Sequence, residues 1–358
     1  MPSDSPATRL QALWYRDARP PWSLRLLAAL FGAALRVRGG LQRRGWPAVQ
    51  RLPRPVVVVG NLTVGGTGKT PLVAWLCGQL RAAGWRPGVI SRGFGGSAPR
   101  AGTPLQVEAH SDPALVGDEA VLLRARTGVP VAVCRDRVNA ARLLIGAGVD
   151  VLIADDGLQH LRLPRCFEIV VVDAARGFGN GYLLPAGPLR EPVERLARSD
   201  ALVVQGAAAS LTPPQYLARG ACFAMQLRGD VLRPVREAGS GQDGDQGLAL
   251  ATLSGRRVHA IAGIGHPQRF FAQLRAAGLE PIEHPYPDHA RFRPADLEFA
   301  DGLPVLMTEK DAVKCRAFGG TDRWYLPVTA SFSEADTEVL LGALGRALVA
   351  FGGDGLRE

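Results

Sequence analysis

Gly65, Gly66 and Gly68 stand directly before Lys69 and Thr70, an arrangement of residue types suited to cradling a polyphosphate. Glycines reach positive φ and let backbone N–H groups approach anionic oxygens closely. A lysine at the loop's end neutralises the β- and γ-phosphates, and the hydroxyl after it can ligate Mg²⁺. The stretch Thr63-Val64-Gly65-Gly66-Thr67-Gly68-Lys69-Thr70 departs from the general phosphate-loop pattern only at Thr63, where glycine is usual. An ordinary glycine-rich turn capping a helix is the competing reading. A second constellation is Asp155-Asp156, at the end of the apolar run Val151–Ala154. Paired carboxylates near a phosphate site are costly without a cation, so these acids are expected to hold Mg²⁺, directly or through water.

Other residues carry weaker signals. Asp118, in Gly117-Asp118-Glu119, opens a helical stretch and reads equally well as a helix cap. Asp288-His289 follows Pro285-Tyr286-Pro287 and reads as a turn, although an Asp or His near a γ-phosphate could accept a hydroxyl proton. Arg92, Arg135 and Arg137 follow strand-like runs and could clamp phosphate. His160, in Gly157-Leu158-Gln159-His160, could touch phosphate or substrate, or be structural. The Gly/Pro-rich run from Gly179 to Glu191 has the density of special backbone positions expected of a shaped binding loop.

These residues need a scaffold, and the chain supplies one. Val56–Val59 is a β-branched run of strand length; Gly60 ends it, and helical periodicity resumes at Leu72. Further strand-like runs are Pro87–Ile90, Val129–Cys134, Val151–Ala154, Ile169–Val172 and Ala201–Val204, with helical patterns such as Asp118–Arg126 and Arg137–Ala147 between them. Continuous apolar strands alternating with helices predict a doubly wound, mostly parallel α/β sheet of P-loop NTPase-like type. Residues 237–247 are polar and glycine-rich, and a second α/β pattern follows, with a strand at Val258–Ile264 and a helix at Pro267–Ala277. We expect an N-terminal amphipathic segment over 1–54 and a nucleotide domain over 55–236. A linker over 237–249 and a smaller α/β domain over 250–332 follow, with a C-terminal helix over 333–358 of open domain assignment.

The 358 residues are 47% hydrophobic and 21% charged, a composition that excludes a disordered chain. The formal charge of +9 suggests an anionic partner without choosing among nucleotide, lipid surface and nucleic acid. Five scattered cysteines form no CxxC or Cys/His cluster, so neither a zinc site nor a disulfide framework is indicated. Leu26–Leu35 is an apolar run preceded by Trp14, Tyr15 and Trp22 and set among arginines. It is too short to span a bilayer, which takes about 20 residues, and predicts an interfacial helix on an anionic membrane surface. A helix packed on the protein's own core is the alternative.

Taken together, GNLTVGGTGKTP (60–71), SRGFG (91–95), VGDE (116–119), DDGLQH (155–160), LLPAGPLRE (183–191), GIGHPQRFF (263–271), PDH (287–289) and TEKDAVK (308–314) resemble the tetraacyldisaccharide 4′-kinases of lipid A biosynthesis. The resemblance runs from about residue 9 to about residue 330. It implies transfer of the ATP γ-phosphate to the 4′-hydroxyl of an acylated disaccharide 1-phosphate, with Mg²⁺, at the cytoplasmic face of the inner membrane. It implies that Lys69 and Thr70 hold phosphates and metal, and that Asp155 and Asp156 complete the metal site. Asp118 is then the general base assisted by His289, with Asp288 orienting the imidazole, while Arg137, His160 and Glu191 lie near metal, phosphate or sugar. No obligate protein partner and no nucleic acid are expected. The rival reading is a P-loop NTPase that hydrolyses nucleotide to drive a protein partner. A nucleic-acid-binding role ranks behind both, for want of an aromatic-interleaved basic patch.

Overall fold

The computed structural model describes residues 10, 12–16, 18–98, 102–206, 221–236, 247–318, 320 and 322–355. Most of the expected 237–249 linker and the first nine residues lie outside them. The elements in chain order begin with α1 (Trp22–Arg43), β1 (Val56–Gly60), α2 (Lys69–Ala82), β2 (Pro87–Ser91), β3 (Leu105–Val107), α3 (Pro113–Val116) and α4 (Asp118–Thr127). Next come β4 (Val131–Val133), α5 (Arg137–Gly146), β5 (Val151–Asp155), β6 (Phe167–Asp173), β7 (Ala201–Gln205), β8 (Ala221–Arg228), β9 (Val231–Pro234) and β10 (Leu248–Ala249). The chain continues with β11 (Arg257–Ala262), α6 (Pro267–Ala276), β12 (Glu280–Pro285), β13 (Val305–Thr308) and α7 (Glu309–Cys315), and ends with β14 (Arg323–Leu326), β15 (Thr329–Ser331) and α8 (Glu334–Gly355).

Two sheets organise the chain. The first has nine strands in the order β15-β8-β7-β6-β1-β5-β2-β4-β3, parallel except for β3 and β15 at its two edges. All five residues of β1 are buried. Val57 and Val59 join a core that α2, α4 and α8 complete, while Val56 and Val58 face the opposite core with α5. A strand with water on neither side has no polar face to show, which is why its sequence reads as an unbroken apolar run. The second sheet has six strands, ordered β10-β9-β14-β13-β11-β12.

The expected domain limits need two corrections. β9, expected in the nucleotide domain, pairs antiparallel with β14 of the second sheet. β15, expected in the smaller domain, returns to pair antiparallel with β8 on the first. β15 satisfies its backbone at the open edge of β8 rather than beside β14, its neighbour in sequence, and β9 pairs with both β10 and β14. The C-terminal helix α8 packs on the first sheet through Leu340, Leu344 and Leu348.

The N-terminal segment is stapled to the Gly/Pro-rich loop. Trp14 Nε1 donates to the Pro185 carbonyl at 3.0 Å, and the Asn180 amide donates to the Trp14 carbonyl at 2.8 Å. A Cβ at Gly179 would fall 2.7 Å from that Trp14 oxygen, so this close crossing requires glycine. Among the described residues, no helix is long and apolar enough to cross a membrane.

Candidate functional site

The phosphate loop leaves the carboxyl end of the central strand β1, the edge at which ligands gather in open α/β sheets. Asn61 braces it from within, its Nδ2 donating to the carbonyls of Thr63 at 2.8 Å and Gly65 at 3.3 Å. Thr63 is buried and forms an isolated bridge with Leu189, so it holds the loop's base. The Val64 amide donates to the Pro188 carbonyl at 2.9 Å, fixing the loop's flank. Gly65 and Gly68 take φ of +109° and +88°, and Gly68 caps α2. Among the described residues the amides of Gly65, Gly66, Thr67 and Gly68 make no hydrogen bond, and the buried Thr67 hydroxyl has no partner. Unspent donors at a helix N-terminus are what an anion satisfies. Lys69 Nζ donates to Asn61 Oδ1 at 2.9 Å and lies 3.7 Å from Asp156 Oδ1.

The two acids at the end of β5 have different surroundings. Asp155 is buried, and its Oδ1 has no hydrogen-bond partner. Burial, then the neighbouring charge of Glu119, pushes its pKa up to about 7. Asp156, at φ +50°, is gripped by Arg190, whose Nη1 and Nη2 each donate to one carboxylate oxygen at 2.9 Å. Burial works against its ionisation, but Lys69 and Arg190 outweigh burial and hold its pKa well below the ordinary value. A divalent cation fits Asp155, whose buried Oδ1 has no hydrogen-bond partner. Among the described residues no cluster of three or more His, Cys, Asp or Glu is placed to hold a metal ion unaided. A cation there would draw further oxygens from the Thr70 hydroxyl, water and nucleotide phosphates.

Opposite this edge the two sheets' loops meet. Gly117, at φ +91°, delivers Asp118 to the first position of α4, and a Cβ on Gly117 would sit 2.7 Å from the Phe94 carbonyl oxygen. The Asp118 Oδ1 accepts the Glu119 amide at 2.9 Å, while Oδ2 lies 3.1 Å from His289 Nδ1, from the loop after β12. Asp118 is therefore no mere helix cap; Gly117 holds that position. The hydrogen bond to Asp118 raises the His289 pKa above its usual value. Burial pushes the Asp118 carboxyl up, but His289 and Lys310 outweigh it and bring the pKa down. The Phe94 ring lies 4.9 Å from the imidazole. Across the same junction, a Cβ on Gly265 would meet the Gly66 nitrogen at 3.1 Å, so the second sheet's β11–α6 loop lies against the phosphate loop.

Several expected residues sit elsewhere. Asp288 does not orient the imidazole: its Oδ1 is 3.8 Å from His289 Nε2 and instead accepts from Lys310 at 3.1 Å, because Asp118 already occupies Nδ1. Glu191 turns towards the N-terminal helix. Arg190 and Glu191 diverge, and Glu191 meets Arg38 of α1 at 2.9 Å and Arg195 at 3.3 Å, pinning the N-terminal helix. Arg137 is buried and donates to the Asp156 carbonyl at 2.9 Å, bracing the backbone beneath the acids. His160 lies 3.6 Å from Asp136; burial and the charge of Arg137 lower its pKa to about 4, so it is neutral near pH 7. Arg92 is exposed at the same sheet edge. Arg190, Asn61 and Lys310 escaped the sequence reading, although Arg190 directly precedes Glu191 and Lys310 lies within TEKDAVK.

Comparison with known proteins identifies the family and the fold. The family model described as "Tetraacyldisaccharide-1-P 4'-kinase" matches residues 20–345. The tetraacyldisaccharide 4′-kinase of Alkalilimnicola ehrlichii is 50% identical over 343 residues, covering 95% of this chain and 98% of that one. That of Azoarcus sp. is 51% identical over 334 residues, covering 92% and 94%. A crystal structure of LpxK from Aquifex aeolicus in complex with ATP superposes with a TM-score of 0.73 at 27% identity, covering 90% of this chain and 97% of that one. The chain belongs to the tetraacyldisaccharide 4′-kinase family.

Proposed function

We propose that this protein transfers the γ-phosphate of ATP to the 4′-hydroxyl of a tetraacyldisaccharide 1-phosphate, with Mg²⁺, at the cytoplasmic face of the inner membrane. The observation that carries the reading is the Asp118–His289 pair, held at 3.1 Å across the junction of the two sheets. A sugar hydroxyl is a poor nucleophile near neutral pH, so a positioned base must take its proton as phosphorus is attacked. The free amides of Gly65 to Gly68 bind the polyphosphate, and Lys69 swings from Asn61 onto the β- and γ-oxygens. Thr70 and Asp155 would hold Mg²⁺, which when bound neutralises charge on the β- and γ-phosphates. Arg190 keeps Asp156 ionised and in place beside Lys69. Contact between the β11–α6 loop and the phosphate loop helps exclude water, favouring transfer over hydrolysis.

Helix α1 supports the lipid side. It turns Trp22, Leu26, Leu27, Leu30 and Val37 outward, Trp22 being 77% and Leu30 60% exposed, while Ala28 and Gly32 are buried. A Cβ on Gly32 would touch Leu183 at 3.1 Å, so the helix lies close along the Gly/Pro-rich loop. Between them is a groove of about 520 Å³ lined by Trp22, Arg25, Leu26, Tyr182 and Leu183 among others. Apolar side chains open to solvent beside an arginine suit acyl chains and anionic headgroups.

The test is transfer of label from γ-labelled ATP to a tetraacyldisaccharide 1-phosphate in mixed micelles. Label on the lipid, dependent on Mg²⁺ and lost in Lys69→Ala, is the expected result. Label released only as inorganic phosphate, whether or not lipid is present, would overturn the reading.

A further inference from the structure

Arg176 lies in the turn that leaves β6, the parallel neighbour of β1, so it opens at the same sheet edge as the phosphate loop. The turn is held by its own bonds. The Arg176 and Gly177 amides donate to the Asp173 carbonyl at 3.2 and 2.7 Å, and Asp173 Oδ1 accepts the Ala175 amide at 3.1 Å. Beyond it the half-buried Arg176 side chain meets three separate segments. Its Nη2 donates to the Gly265 carbonyl of the β11–α6 loop at 3.1 Å. Its guanidinium carbon lies 4.9 Å from the centre of the Tyr15 ring, whose hydroxyl also bonds to it. Its Nη1 would stand 3.3 Å from a Cβ on Gly65 of the phosphate loop.

The other buried arginines around the loop are engaged. Arg190 grips the Asp156 carboxylate, Arg137 donates to the Asp156 carbonyl, and Arg269 holds Asp173 from α6. Among the described residues Arg176 makes no ion pair, since Arg269 has taken the carboxylate at the start of its turn. A cation partly withdrawn from water is uncompensated until an anion joins it. The place for that anion is adjacent, where the amides of Gly65 to Gly68 are unspent and the buried Thr67 hydroxyl has no partner. Gly65 also faces the reacting pair. A Cβ on Gly265 would sit 3.6 Å from Gly65 Cα and 3.5 Å from Asp288 Oδ2, next to His289. A γ-phosphate between the loop and that pair therefore lies beside Arg176.

We propose that Arg176 is a catalytic residue that donates to the γ-phosphoryl oxygens during transfer and stabilises the charge spread over them in the transition state. The inference rests on the kinase reading above and adds a residue to it. In the transfer the sugar hydroxyl oxygen forms a bond to the γ-phosphorus, and the hydroxyl proton goes to the Asp118–His289 pair. The bond from that phosphorus to the β–γ bridging oxygen breaks, its electron pair leaving on ADP. Arg176 forms no covalent bond and keeps its proton throughout, since a guanidinium stays charged at any working pH. Its planar fork matches phosphate oxygens, and Tyr15 and Gly265 hold it in place before the reaction, so little reorganisation is needed.

The experiment compares full-length wild type, Arg176→Ala and Arg176→Gln in single-turnover transfer of label. The same proteins are titrated with ADP and Mg²⁺, with and without aluminium fluoride, which together with ADP mimics the transferring phosphoryl group. Gln retains a donor for the Gly265 carbonyl and lacks the charge, so it separates a strut from a catalytic cation. Both variants should slow transfer about 10²–10³-fold, the loss that follows removal of one preorganised donor from developing charge. ADP, which has no γ-phosphate, should bind all three proteins equally, while the tightening brought by aluminium fluoride should shrink in both variants. Added guanidinium should restore part of the rate of Arg176→Ala and none of that of Lys69→Ala. Transfer by Arg176→Gln at the wild-type rate would overturn the proposal, as would undiminished tightening by aluminium fluoride or a defect confined to ADP affinity. If wild type transferred no label to lipid, the kinase reading would fall, and the aluminium fluoride comparison, made with and without lipid, would still decide the role of Arg176.

Discussion

Replacing Asp118 by Asn removes one charge with almost no change of volume, and so isolates what the carboxylate does. In the native protein Asp118 Oδ2 accepts from His289 Nδ1 at 3.1 Å and Oδ1 accepts from the Glu119 amide at 2.9 Å. An Asn carbonyl oxygen can keep one of these bonds, so the fold is expected to survive. What disappears is the proton acceptor and the carboxylate that raises the His289 pKa. A positioned base contributes about 10²–10⁴ in rate. Because the loose transition state of phosphoryl transfer leaves less for a base to do, we place the loss in kcat near the lower part of that range, about 10²–10³, or about 3–4 kcal/mol. His289→Asn should cost somewhat less, since it removes only the partner of the base. Groups acting as a unit are non-additive, so the double variant should be about as slow as Asp118→Asn alone. Single-turnover transfer with saturating ATP, beside equilibrium binding of a nucleotide analogue, separates chemistry from binding. Multiplication of the two single losses in the double variant would refute the pairing, as would an Asp118→Asn defect confined to ATP affinity.

Other outcomes follow from the same geometry. Gly117→Ala forces a Cβ into the Phe94 carbonyl at a φ of +91°; it should cost about 1–3 kcal/mol of stability in chemical denaturation and lower transfer while sparing nucleotide binding. His160 has a folded pKa of about 4 against 6.5 when free, so its neutral form supports stability near pH 7 and that support is lost as pH falls from about 6.5 towards 4. His160→Gln should therefore lose less stability on going to about pH 5, by about 2 kcal/mol, in parallel urea titrations; identical pH dependence would contradict the burial argument. Asp155→Asn should abolish Mg²⁺-dependent tightening of ATP binding, whereas Asp156→Asn should mainly release Arg190, a contrast that calorimetric titration with and without Mg²⁺ reads directly. Leu26→Glu with Leu30→Glu should reduce sedimentation with anionic vesicles and leave the melting temperature unchanged, because both side chains are exposed.

The first sheet was legible because its strands are buried on both faces and its glycine signals are local. The strand at Val56–Val59 and the helix behind the phosphate loop lie where periodicity places them, although the strand runs on through Gly60 and the helix begins at Lys69. β9 and β15 were not legible in their sheets, since which edge a strand joins depends on openings created by distant segments. The site divides in the same way. Residue types at the phosphate loop and Asp155–Asp156 announce themselves, but side-chain direction does not. Arg190 and Glu191 are neighbours in sequence, yet one holds Asp156 and the other holds Arg38 of the N-terminal helix. Lys310 looks like one charge in a helical turn until the fold sets it against Glu119, Asp288 and His289.

The most direct test of the central claim is the position of the phosphate on the lipid product. The disaccharide 1-phosphate would be incubated with ATP, Mg²⁺ and the purified protein, and the product read by ³¹P–¹H correlation NMR. The account predicts a new phosphorus resonance coupled to the proton at the 4′ carbon, absent with Asp118→Asn. A product phosphorylated at another hydroxyl, or inorganic phosphate alone beside unchanged lipid, would contradict it.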